Sequence, residues 1–89
     1  MFTRDATFAV GKKASQIAEA VGARPDFILK GPGEIEFWFK HSCSDKARST
    51  VSSVWVYERG PRTTVALGVD DGGIVRCADF STTFTIFHA

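Results

Sequence analysis

Nowhere does the chain approach the roughly 20 consecutive apolar residues that a membrane-spanning helix needs. Its opening residues, Met1, Phe2, Thr3, Arg4 and Asp5, carry charges where a signal peptide requires an apolar stretch. These absences lead to the expectation of a cytoplasmic protein without a membrane partner. Cysteine is scarce: Cys43 and Cys77 are too few for a disulfide scaffold, and the expected state is two reduced thiols. Charge of one sign is also missing, since eleven Lys and Arg face ten Asp and Glu for a formal +1. No global field therefore draws the protein to nucleic acid or to an anionic surface. No repeat, linker or low-complexity segment breaks the 89 residues, which read as one domain over 1–89.

What is present is a good supply of apolar residues, 44% of the chain with eight Phe and two Trp, ordinary for a folded protein. In segment 11–21, Ala14, Ile17, Ala18 and Val21 recur at helical spacing and Gly22 follows as a stop. Beyond it the pattern alternates. Segments 27–30 and 34–40 flank Gly31-Pro32-Gly33, which reads as a hairpin turn. A polar, Ser-rich loop is expected over 41–49. Strands are expected over 51–58, 64–69, 74–78 and 82–87, with turns at Arg59-Gly60-Pro61-Arg62 and Asp70-Asp71-Gly72-Gly73. The fold class is α+β: one N-terminal amphipathic helix packed on one face of a mostly antiparallel sheet of five or six strands.

One helix covers one sheet face. On this reading the covered face takes Phe37, Phe39, Val54, Val56, Val65 and Leu67 beneath Ile17 and Val21. Alternation then sends Trp38, Trp55 and Tyr57 to the open face beside the small residues Ala66 and Gly68, as an aromatic platform. Lys40, Lys46, Arg48, Arg59 and Arg62 lie at or near the strand ends and form a polar rim. Aromatic anchors within a polar rim are the composition of a protein-binding surface.

The same residues suit a second partner class, single-stranded nucleic acid, where rings stack on bases and Lys or Arg holds phosphates. Glu34, Glu36 and Glu58 on the same strands oppose it, and it ranks second. Residues 14–29 look like a helix-turn-helix, with Ala18, Gly22 and Ile28 at its spacing, but Gly31-Pro32-Gly33 would end a recognition helix in under two turns. His41, Cys43, Cys77 and His88 have the inventory of a zinc site without the paired spacing of one. A Cys43–Cys77 disulfide fits better than zinc, yet sits badly with the expected compartment. Cys43 beside His41 has only Asp45 to orient the base, and Asp70 with Asp71 reads as turn chemistry.

The expectation is a non-enzymatic protein-binding module with no cofactor and no metal. In size and in its lack of catalytic motifs the chain resembles the small inhibitors that phages and mobile elements encode, anti-CRISPR proteins among them. That resemblance covers no motif and transfers no residue roles; it implies steric blocking of a host protein or complex. A homodimer that buries the aromatic face against its own copy is the third reading.

Overall fold

A computed structural model describes residues 6–59 and 63–81. A 3-10 turn at Ala6–Ala9 leads into helix α1, Ala14–Val21. Its periodic residues Ala14 and Ile17 are buried. The Gln16 carboxamide oxygen accepts from the Lys13 N–H at 3.3 Å at the helix start. Gly22 ends the helix in the left-handed region at φ 80°, where its N–H and that of Ala23 reach the last carbonyls.

Strand β1, Phe27–Lys30, comes next, followed by helix α2, Pro32–Phe39, and the single turn α3, Asp45–Arg48. Strands β2, Val51–Arg59, β3, Thr63–Asp70, and β4, Val75–Ser81, complete an antiparallel sheet in the order β1-β2-β3-β4. The architecture is α+β, with four strands among the described residues. The strand expected over 82–87 lies outside them.

Two expectations about this sheet change. Residues 34–40 are helical. Gly31 at φ 113° turns the chain, Pro32 occupies a first-turn position where its missing N–H costs nothing, and the Ile35 N–H donates to Gly31 O at 3.2 Å. Ile35, Trp38 and Phe39 then share one helical face, packed against the sheet. The partner of β1 is accordingly β2, with Phe27 opposite Val56 and Leu29 opposite Val54.

The second change is the assignment of faces. A four-residue turn at 59–62 would set Val54 and Val56 opposite Leu67 and Val65. The observed closing pair is Arg59 with Thr63, which leaves three residues between the strands and sets Trp55 opposite Leu67 and Tyr57 opposite Val65. A one-residue change of register exchanges every side chain between faces. The aromatics therefore lie under α1 with Ile17, Val65, Leu67 and Val69, with Val21 packed alongside.

The opposite face holds Val51, Val54, Val56, Ala66 and Cys77 beneath α2 and α3. Gly68 is the seat of Phe39: a Cβ there would lie 3.0 Å from the Phe39 ring and 3.0 Å from both Cys77 Cβ and Val51 Cγ2. Helices thus cover both faces, and the small residues expected to open a platform instead admit a buried ring.

Candidate interaction surface

Most of the residues expected to meet a partner are placed by the fold for other work. Tyr57 is fully buried; its hydroxyl donates to Ala23 O at 3.3 Å, joining the chain just after α1 to β2. Burial raises the phenol's pKa, and the nearby Arg59 guanidinium, 5.0 Å from the ring centroid, partly offsets that rise. Trp55 is half-buried, packed against the α1-side core. A surface depression lined by Lys13, Ala14, Ser15, Gly72 and Gly73 also reaches it. The expected open aromatic platform is corrected on these grounds: its rings are divided between the two cores.

The cations divide in a similar way. Arg48 donates through Nη1 to Lys40 O at 2.9 Å and Phe39 O at 3.4 Å, and it pairs with Asp45. A guanidinium on the last carbonyls of α2 opposes the negative end of the helix and ties α3 to it. Arg59 donates to Asp26 Oδ2 at 3.1 Å, and the same oxygen accepts from the Glu58 N–H at 2.7 Å. Lys40 and Lys46 are exposed. Arg62 lies outside the described residues.

Cys43 and Cys77 are joined in a disulfide with a Cα–Cα separation of 5.7 Å. This overturns the expectation of reduced thiols. It also removes the zinc inventory and any Cys43 nucleophile, because neither sulfur is left as a thiolate. His41 is exposed, and His88 is outside the described residues. Among those residues no group of three His, Cys, Asp or Glu is placed to hold a metal. Asp70, read as turn chemistry, is that: Oδ1 accepts from the N–H groups of Gly72 and Ile74, both at 2.9 Å, and Oδ2 accepts from Arg76 Nε at 2.8 Å. The Arg76 bond is the main cause of a carboxyl pKa held below the ordinary value, with the Ile74 N–H next.

A different surface takes the platform's place. Phe37, expected in the core, is 67% exposed, its ring set edge-on to that of Trp38 at 5.4 Å and 87°. Trp38 is half-buried against the α2-side core. Helix geometry exchanges the two roles, since residues 35, 38 and 39 face inward and 37 cannot join them. On the edge strand β1, Phe27 and Ile28 are 51% and 52% exposed. Sequence reasoning missed Phe27, Ile28 and Phe37, although Pro32 early in a segment with Ile35, Trp38 and Phe39 at i, i+3 and i+4 was a helix signal in plain view.

No protein-family model matches the chain, and comparison with curated proteins and with solved structures finds no similar protein.

Proposed function

We propose that this chain is a non-catalytic protein-binding module that acts by occupying a surface of another protein. The observation that carries the reading is Phe37, a large ring left two-thirds exposed on a helix whose other aromatics pack inward. Trp38 supports its edge, and the exposed Glu36 and Lys40 supply the polar rim that a hydrophobic anchor needs. Lys46 extends that rim on α3. The nucleic-acid reading loses support, because Tyr57 is buried and Arg48 and Arg59 are bonded within the fold.

The disulfide bears on where such a partner would be met. Disulfides persist in oxidising compartments and are uncommon in the cytosol. The Cys43–Cys77 bond therefore weighs against a cytoplasmic site of action and, with it, against inhibitors of intracellular complexes such as the anti-CRISPR proteins. A steric blocker of a partner outside the reducing cytosol fits better.

The test compares immobilised wild-type protein with Phe37→Glu, after circular dichroism has established that both are folded. A partner retained by the wild type and lost by the variant is the expected outcome. Equal retention by both, or a salt-dependent shift of single-stranded RNA or DNA that Phe37→Glu leaves intact, would remove the proposal.

A further inference from the structure

A cleft of about 360 Å³ is lined by Val10, by Ser44, Lys46, Ala47 and Thr50 in and around α3, and by Arg76 of β4. That volume lies near the lower end of the range of small-molecule sites, about 300–1,000 Å³. Both of its sides are fixed to the sheet. Beyond Val10, the Gly11 N–H donates to Val75 O at 2.8 Å and Lys12 O accepts from the Val75 N–H at 2.9 Å, which seams this segment to the start of β4. On the other side Ala47 packs against the α2-side core. The disulfided cysteines, Cys43 and Cys77, directly precede Ser44 and follow Arg76, so the cleft is preformed.

Its polar groups are mostly donors with nothing to donate to. Ser44 Oγ accepts from the Ala47 N–H at 3.2 Å, which leaves the hydroxyl's own hydrogen to give. Thr50 has spent its hydrogen on Ala47 O at 2.7 Å. The Lys46 ammonium pairs with no carboxylate among the described residues. Arg76 gives Nε to Asp70 Oδ2 at 2.8 Å and keeps both Nη groups unspent. Asp70 is itself pinned by the Gly72 and Ile74 N–H groups and does not line the cleft. It therefore holds one edge of the guanidinium and leaves the other edge free.

We infer that this cleft binds a small organic phosphate monoester, its phosphate between Lys46 and Arg76 and its organic group against Val10 and Ala47. Two cations with no acidic residue among the described lining suit a ligand of nearly two negative charges. A phosphate monoester carries that charge near neutral pH, and a carboxylate carries half of it. The free edge of a held guanidinium and the Ser44 hydroxyl supply hydrogen bonds to its oxygens. Val10, 45% exposed, gives the organic group an apolar wall that inorganic phosphate would not use. The volume admits a ring with its phosphate and little more, which favours a free small molecule over a protein chain. No residue of α2 lines the cleft, so the site stands apart from Phe37, and Lys46 alone is shared with the proposed rim.

Titration of the full, oxidised chain with phenyl phosphate, followed by amide NMR, tests the site. Saturable shifts confined to Val10, residues 44–50 and Arg76 are expected. Lys46→Glu and Arg76→Gln should each weaken binding by about tenfold or more, the scale of a lost charge-assisted hydrogen bond. Lys46→Glu should do so without changing the thermal melt, because Lys46 is exposed and unpaired with any described carboxylate. Phe37→Glu should bind phenyl phosphate as the wild type does, so this site and the partner surface can fail separately. Absence of saturable shifts would overturn the inference, as would binding that Lys46→Glu leaves intact. Equal affinity for benzoate would remove the phosphate, and equal affinity for inorganic phosphate would remove the organic group. A phosphotyrosine peptide that bound more tightly than phenyl phosphate would remove the small molecule.

Discussion

Asp70 closes the β3–β4 hairpin with one carboxylate, and that concentration of bonds makes stability depend on its ionisation. The carboxyl is held below its ordinary pKa, by Arg76 first and then by the Ile74 N–H. A group whose pKa is lower folded than unfolded contributes stability above its unfolded value, and the contribution disappears as pH falls through the folded one. Wild-type protein should therefore lose melting temperature as pH drops below about 4, the ordinary carboxylate range. Asp70→Asn keeps the shape but weakens the Arg76 bond. It should melt lower than wild type at pH 7, with the gap narrowing below pH 4, as thermal melts across pH 2–7 would record. A gap of constant size would mean that the charge of Asp70 is immaterial and only its packing matters. This residue was legible beforehand as turn chemistry, because Asp and Gly together satisfy both the positive φ of Gly73 and the local N–H groups.

Helix α2 is where alternation misled and where the fold is most open to test. Glu34 to Lys40 alternates apolar and polar residues almost as a strand would, but it also carries the i, i+3, i+4 set Ile35, Trp38 and Phe39. Tertiary packing decides between them. As a strand the segment would bury Phe37 and Phe39 together; as a helix it drives Phe39 into the Gly68 seat and leaves Phe37 outside. Phe39→Ala should then cost about 3–5 kcal/mol, the usual range for emptying a buried aromatic site. Phe37→Ala should cost about 1 kcal/mol or less, chiefly the edge contact with Trp38. Urea unfolding of the two variants separates the cases, and equal losses would return α2 to the strand reading. Helix α1, by contrast, was legible over Ala14–Val21, where Ala14, Ile17 and Val21 recur at helical spacing before Gly22, but not at its start: the helix expected from residue 11 begins at Ala14, because Gly11 takes a φ of 91° and Lys13 bridges to Ile74. The β2–β3 register was not, because a turn of three residues and a turn of four exchange the faces and nothing in Arg-Gly-Pro-Arg distinguishes them.

For the whole molecule the decisive fact is that the two helical layers hold to the sheet by different means. The α1 side is held by apolar packing and by backbone bonds such as the Ala14 N–H to Gly73 O at 2.9 Å. The α2–α3 side adds a covalent link, because the disulfide runs from the segment between the two helices to β4 and spans 34 residues of sequence. Closing a loop of that length restricts the unfolded chain by about 3–4 kcal/mol on the entropic account. A domain of this size has about 4–13 kcal/mol in total, so the bond carries a large share. Reduction should therefore lower the urea midpoint substantially, and Cys43→Ser with Cys77→Ser should reproduce the loss. Hydrogen exchange should locate it on one side: amides of α2 and α3 should lose protection well before those of β3, because that layer is then held to the sheet by the side-chain packing of Ile35, Trp38, Phe39 and Ala47 without a covalent link. Uniform loss of protection across both layers would instead mean that the sheet and its two helical faces unfold as one unit. A reduced protein as stable as the oxidised one would take away the argument against the cytoplasm, since the fold would then stand without the bond that speaks for an oxidising compartment.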